Sequence, residues 1–322
     1  MTKVLIIGAG LSGLIAAREL KNRGHDSMIV DKGKGIGGRM ATRREGDAQF
    51  DHGAQFFTAR SEEFQAEIAD WQSAGVAQKW FDGFPSPGNK KPNDHYPRFC
   101  GTSGMTGIGK YLARDLNVVL GDEIENLHHS ENGWTAKSRS GAEYSGAQLL
   151  LTCPLPQALD LFDTSGQSLP EAQREVLQSV TFEPCFAVLA ILKNASKIPV
   201  PGALYMDGEP IAWIADNFQK GISEAEGAVT IHSTGAFARA HYEEDETAVG
   251  EILLNAAQEY LGAEVSRFQV RRWRYAKPEN ALDIGIAHFP ELDLCFAGDS
   301  LNGAKIEGAF LSGLMAAGVL GA

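Results

Sequence analysis

The sequence predicts an α/β protein built on a nucleotide-binding parallel sheet, and its first 31 residues carry that prediction. Val4-Leu5-Ile6-Ile7 is a short, continuously apolar run, the pattern of a strand covered on both faces. Gly8-Ala9-Gly10-Leu11-Ser12-Gly13 follows and leads into Leu14-Ile15-Ala16-Ala17-Arg18-Glu19-Leu20, a helical pattern. A second strand, Asp26-Ser27-Met28-Ile29-Val30, ends at Asp31. Each part has a physical role. Gly8 permits the tight turn, Gly10 lets the backbone approach a pyrophosphate, and Gly13 lets helix and strand pack closely. The helix N-terminus offers unpaired N–H groups and a positive dipole to phosphates. Asp31 can accept hydrogen bonds from ribose hydroxyls. Together they define a Rossmann-like unit.

Lys32-Gly33-Lys34-Gly35-Ile36-Gly37-Gly38-Arg39-Met40-Ala41-Thr42 continues from the second strand. At the other end, Leu292-Asp293-Leu294-Cys295-Phe296-Ala297-Gly298-Asp299 is a strand ending in Gly-Asp, and Gly303 to Gly313 opens a small-residue helix. Both segments resemble the flavin-containing amine oxidase superfamily. The resemblance implies FAD. Arg39 would reach back to the pyrophosphate, a contact that suits a planar guanidinium. Asp299 would bind the ribityl chain, and the last helix would point its positive end at the flavin ring. Carried over position by position, the implied FAD contacts are Gly8, Gly10, Leu11, Ser12, Gly13, Asp31, Lys32, Gly38, Arg39, Met40, Ile124, Gly298, Asp299 and Ile306.

Ser61 to Gly75 reads as an amphipathic helix with Phe64, Ile68 and Trp71 on one face. Gly83 to Asp94 is rich in Pro, Gly and Asn, hence a loop. A helix is expected from Ser103-Gly104-Met105 through Leu116. Strands are expected at Val118–Leu120, Ile124–Leu127, Trp134–Lys137 and Gln148–Thr152, completing the FAD domain, with a backbone group near Ile124 at the adenine. Phe186–Leu192 and Ala228–His232 read as strands of a second domain, and Glu246–Leu261 as a helix within it. The expected architecture is the two-domain FAD-binding fold of the amine oxidase and p-hydroxybenzoate hydroxylase type, a Rossmann-like FAD domain plus a mixed α+β substrate domain. The FAD domain would take residues 1–60, 100–155 and 280–322, and the substrate domain 61–99 and 156–279.

At 322 residues the chain can bury two cores, and its net charge of −12 disfavours nucleic acid and anionic membrane. No apolar run approaches the roughly twenty residues of a membrane span. Cys100, Cys153, Cys185 and Cys295 are isolated and lack metal-ligand spacing, so reduced core thiols in a cytoplasmic protein, and no metal, are expected.

Three features depart from true amine oxidases. The chain is short. Arg271-Arg272-Trp273-Arg274-Tyr275-Ala276 holds no cysteine where covalent flavin attachment occurs, so FAD should be noncovalent. Lys305 falls where an amine-caging aromatic is usual. Asp51-His52-Gly53-Ala54-Gln55-Phe56-Phe57-Thr58-Ala59-Arg60, with Gly37 to Arg43, resembles bacterial renalases instead. That resemblance implies oxidation of 2- and 6-dihydro-NAD(P) to NAD(P)+, with oxygen as acceptor and hydrogen peroxide as product. The flavin would take the hydride without a protein acid or base. Phe57, Thr58, Ala59, Arg60, Tyr96, Arg98 and Asn302 are the candidate substrate contacts, and Lys305 the candidate catalytic group. The bland readings are core packing for Phe57, a solvated helix-start arginine at position 60, and Lys305 paired with Glu307 or another carboxylate away from the flavin. His232 and His241 are most simply structural. A flavin amine oxidase and a non-catalytic flavin- or nucleotide-binding regulator remain open at this point, and a polyene desaturase fits the composition poorly.

Overall fold

The computed structural model describes residues 3–83 and 95–321, so the expected loop at 84–94 lies outside the described residues. The chain begins β1 (Lys3–Ile7), α1 (Leu11–Asn22), β2 (Asp26–Asp31), then a hairpin of β3 (Thr42–Glu45) and β4 (Ala48–Asp51). Next come α2 (Glu62–Ser73), β5 (Ala77–Asp82), β6 (Pro97–Gly101), α3 (Met105–Leu112) and β7 (Val118–Leu120). A meander of β8 (Ile124–Ser130), β9 (Gly133–Ser138) and β10 (Glu143–Gly146) leads to β11 (Gln148–Leu151), α4 (Leu155–Thr164) and α5 (Glu171–Gln178). The second sheet is built from β12 (Phe182–Leu192), β13 (Ala203–Tyr205), β14 (Ile211–Asp216) and β15 (Ala228–Ser233). It is completed, after α6 (Gly235–Ala240), α7 (Glu246–Ala256) and α8 (Gln258–Leu261), by β16 (Val265–Pro278). The chain then returns as β17 (Ile286–Phe289), β18 (Leu294–Ala297) and α9 (Ile306–Leu320).

The first sheet has the order β17-β18-β11-β1-β2-β7 and is parallel except for β17. Its central strand explains the apolar N-terminus. Val4 and Ile6 join one core with Leu14 and Ile15 of α1 and Phe310 and Ala317 of α9. Leu5 and Ile7 join another with Trp134, Leu149 and Phe162. Successive side chains point to opposite faces, so both faces must be covered and the whole run is apolar.

The second sheet, β13-β14-β15-β12-β16, is antiparallel. One face is packed by α6 and α7, through Phe186, Phe237, Val249 and Leu253. The opposite face carries the β3–β4 hairpin, with Ala48 and Phe50 against Leu189 and Ala228. This hairpin escaped the sequence reading because Thr42-Arg43-Arg44-Glu45 has no apolar alternation.

Two helices that the sequence places in the substrate segments pack into the cores of the parallel sheet. α2 was expected in the substrate domain, but Phe64, Ile68 and Trp71 share the core of α1 and α9. α4 likewise turns Leu155, Leu159 and Phe162 into the core of the parallel sheet. A single apolar stripe commits each helix to one layer, and that layer is the nucleotide side. Two helix ends also differ. α3 stops at Leu112, followed by Asp115 with φ +60. The helix expected over 246–261 breaks at Ala257 and ends at Gly262 with φ +62, where the left-handed conformation favours glycine.

All four cysteines are free thiols. Burial pushes Cys153, Cys185 and Cys295 up to about 12. Among the described residues no helix is long and apolar enough to cross a membrane.

Candidate active site

The nucleotide motif forms a cradle. Gly8 has φ +115, which a Cβ would strain, and a Cβ on Gly13 would meet the Gly8 carbonyl at 2.1 Å. A Cβ on Gly10 would meet nothing within 4 Å, so the turn faces open space there. Gly10 is also the N-cap of α1, and no side chain caps that end. Its first-turn N–H groups are thus free to hold an anion. Leu11 and Ser12 are buried, and Ser12 Oγ is spent on the Ala309 carbonyl (2.8 Å), joining α1 to α9. Asp31 lies beside the turn, with its carboxylate accepting from Ala9 N–H and Gly33 N–H, both at 2.6 Å.

The two ends of the chain meet here. Arg39 forms a fork with Asp299, Nη1–Oδ2 at 2.9 Å and Nη2–Oδ1 at 2.5 Å. Gly38, with φ +54, brings its backbone against Gly10. Met40 is buried, while Lys32 is an exposed lysine 3.7 Å from Glu123. Asp122 N–H bonds the Asp31 carbonyl (3.1 Å), tying the end of β2 to the chain just ahead of Ile124, the first residue of β8. Gly298 donates to Ser312 Oγ (2.9 Å), and Ile306 begins α9 behind an N-cap, Lys305, that makes no side-chain cap. An uncapped helix end, a glycine turn facing open space and a bidentate Arg–Asp pair make a donor set that fits a flavin dinucleotide. When bound, the flavin supplies hydride acceptance. These residues would hold its phosphates and sugar chain.

The segment from His52 to Gln55 lies directly on the Arg39 backbone, through His52 N–H to the Ala41 carbonyl (3.0 Å) and Ala54 N–H to the Arg39 carbonyl (2.8 Å). Above it stands the antiparallel sheet. Trp273 stacks on His52 with centroids 5.4 Å apart, and its indole donates to the His52 carbonyl (2.9 Å). Gln55 Nε2 donates to the carbonyls of Asp51 (2.7 Å) and Gly53 (3.2 Å) and lies 3.4 Å from His232 Nε2. Burial, then the positive charges of Arg271 and Arg43, hold His52 down to about 4 against the pull of Asp51. Burial likewise lowers His232 to about 4. Both imidazoles are therefore neutral. His52 Nδ1 and Gln55 Oε1 are buried without a partner among the described residues, so this seam has polar atoms to offer a ligand.

The substrate candidates divide. Residues 57–60 pair with 96–99, through reciprocal bonds between Phe57 and Phe99 of 2.9 and 2.8 Å. Arg60 is exposed and its guanidinium lies 5.1 Å from the Tyr96 ring centroid. Thr58 and Ala59 are half-buried between them. Phe57 takes its bland reading: it is 3% exposed and packed against Phe64, Trp71 and Phe99. Arg98 is also buried, with Nη1 donating to the Tyr96 carbonyl at 2.5 Å. Asn302 is half-buried and bridged to Asp283.

Lys305 is exposed and, against the bland reading, forms no ion pair with Glu307 or another carboxylate among the described residues. Glu307 is buried and accepts instead from Arg60 N–H (2.9 Å), Ser61 N–H (2.7 Å) and Ser61 Oγ (2.8 Å). That contact draws the start of α9, with Lys305, to the Arg60 segment.

Sequence reasoning missed Lys220. It lies in a polar loop, Asp216-Asn217-Phe218-Gln219-Lys220-Gly221, that reads as solvated, yet its side chain is fully buried on Asp51. No local signal marks it, since its partner is 169 residues away.

Residues 73–320 match the family described as flavin containing amine oxidoreductase, and residues 6–70 an NAD(P)-binding Rossmann-like domain. The chain belongs to the flavin containing amine oxidoreductase family and is a flavin-dependent oxidoreductase. Within that class it is similar to renalase of Mus musculus, at 28% identity over 275 residues, covering 81% of this chain and 80% of the mouse protein. Solved structures share the fold. Cyclohexylamine oxidase from Brevibacterium oxydans IH-35A matches with a TM-score of 0.73 at 15% identity, over 99% of this chain and 98% of that one. A CLA-producing fatty acid isomerase from P. acnes matches at 0.69 and 13% identity, over 99% and 98%. Proteins of such different reactions share one fold, so fold alone does not choose the substrate.

Proposed function

We propose that this protein is an FAD-dependent oxidase of isomeric dihydronicotinamide dinucleotides, 2- and 6-dihydro-NAD(P). The observation that carries the reading is the exposed cation Lys305 at the start of α9, drawn by Glu307 to the Arg60–Tyr96 pair. A cation there repels an ammonium substrate and suits a phosphate-bearing one. Two further arginines, Arg43 and Arg271, act on His52 and have no carboxylate partner among the described residues. In a chain of net charge −12, arginines without a carboxylate partner suit a pyrophosphate, which could replace the neutral Gln269 Oε1 that Arg271 Nη2 now donates to (2.8 Å). The extended similarity to renalase supports the same reading.

Bound in the cradle, the flavin would supply hydride acceptance from the dihydronicotinamide ring; with one oxygen molecule and one solvent proton the net products would be NAD(P)+ and hydrogen peroxide. The neutral His52 and His232 and the unpaired Gln55 carbonyl oxygen provide polar contacts at the seam without supplying a charged base. FAD is held noncovalently, because β16 carries no cysteine and the four thiols are protonated or buried. The thiols suit a reducing cytoplasm.

The test is anaerobic mixing of the purified protein with borohydride-treated NAD+, which contains all dihydro isomers. Flavin bleaching by the minor isomers is the expected result. Bleaching by phenethylamine instead would establish amine oxidation, and a flavin inert to both would establish a non-catalytic role.

A further inference from the structure

Asp51 is the last residue of β4, immediately before the segment that lies on Arg39. Every one of its polar atoms is engaged. From the antiparallel sheet, Lys220 Nζ donates to Oδ2 (2.7 Å), Thr230 Oγ1 to the main-chain carbonyl (3.0 Å), and Asn217 Oδ1 accepts from the N–H (3.3 Å). From the nucleotide side, Thr42 Oγ1 (2.5 Å) and the first N–H of α3, at Met105 (2.8 Å), donate to Oδ1. Both members of the ion pair have side-chain exposures of 0%. The ammonium also lies 4.8 Å from the Trp80 ring centroid.

A buried ion pair is a poor source of stability, because desolvation offsets most of the attraction and apolar replacements are often as stable. It does impose geometry, since a partner displaced from contact leaves a bare buried charge. We propose that Asp51–Lys220 is a positioning pair that registers the antiparallel sheet on the nucleotide domain and seats His52–Gln55 against the flavin. Lys220 acts through Asp51 and touches neither cofactor nor substrate. The inference rests on the flavin-dependent assignment and not on the identity of the substrate.

The test is the double variant Asp51→Asn/Lys220→Met, which removes both charges and strands neither. It is compared with wild type at saturating FAD. The substrate-independent readout is the visible spectrum and midpoint potential of the bound flavin, which a purely structural pair would leave unmoved. The expected result is a shift in either, with flavin reduction by borohydride-treated NAD+ slowed about 10- to 100-fold, the scale of a 1 Å misplacement. Wild-type spectrum and potential in a folded double variant would overturn the proposal. If the double variant does not fold, Asp51→Asn/Lys220→Gln decides. It removes both charges and keeps a polar contact between the two side chains, so a shifted flavin spectrum or potential supports positioning by the ion pair and wild-type values overturn it. Failure of wild type to react with the dihydro isomers would sink the proposed substrate and leave the spectral readout intact.

Discussion

Two ion pairs in this protein share their chemistry and differ in setting. Arg39–Asp299 is bidentate, with side chains 29% and 12% exposed, and lies on the wall of the nucleotide cradle. Asp51–Lys220 is sealed, with both side chains at 0%. The guanidinium of the first can exchange its carboxylate for a phosphate with similar charge-assisted bonds. The second has no room for another partner. Burial, rather than residue type, separates a pair that can give way to a ligand from one that holds two sheets in register.

The contrast is broken or sharpened most strongly by Lys220→Met alone. It strands the Asp51 carboxylate and should cost about 3–5 kcal/mol of unfolding free energy. A loss below about 1 kcal/mol in urea titration, the value of an exposed pair, would erase the distinction. Next in size, Arg39→Ala should weaken flavin retention by about 1.5–3 kcal/mol. Equilibrium dialysis reads that loss, and the stability of the apoprotein should stay near wild type. An apoprotein as damaged as Lys220→Met would make the two pairs alike.

The histidines between the pairs give a smaller, pH-dependent effect. In the fold His52 and His232 are lowered to about 4 from an ordinary 6.5. The unfolded chain therefore takes up protons first as pH falls. Stability is full above pH 6.5 and is lost toward pH 4, by about 1.4 kcal/mol per unit for each histidine. Denaturant titrations at pH 7 and pH 5 should differ, and His232→Gln should flatten the difference. An equal wild-type stability at both would show that the rings are already charged in the fold.

The smallest structural effect belongs to Lys305→Met. The residue is exposed, so stability should change by no more than about 0.5 kcal/mol. Flavin reduction by dihydronicotinamide isomers should still slow, or their binding weaken. Unchanged stopped-flow kinetics would remove Lys305 from the site.

The cradle was legible in the sequence because its glycines record backbone approach. Gly8, Gly10, Gly13 and Gly38 are there because a Cβ would strain the chain or fill the turn, and that constraint shows in residue type alone. Arg39 and Asp299 were legible only as family marks, although the structure joins them across 260 positions. The substrate side was less readable. Phe57 and an aromatic contact look the same in sequence, and only packing shows that its ring is core. Lys220 was invisible because a loop lysine is solvated by default and its burial is created by a distant strand. α2 and α4 carried clear apolar stripes, but a stripe does not say which sheet it will meet.

The order of strands has a consequence in time. β18 lies between β17 and β11, and Asp299 follows it, so the cradle draws on both the first and the last portions of the chain. A ribosome delivers Arg39 260 positions before Asp299, with α9 following it. A nascent chain therefore presents an open sheet edge at β11 from the time that strand is made until β18 follows it. Closure of that edge and the meeting of Arg39 with Asp299 both wait for the same late segment.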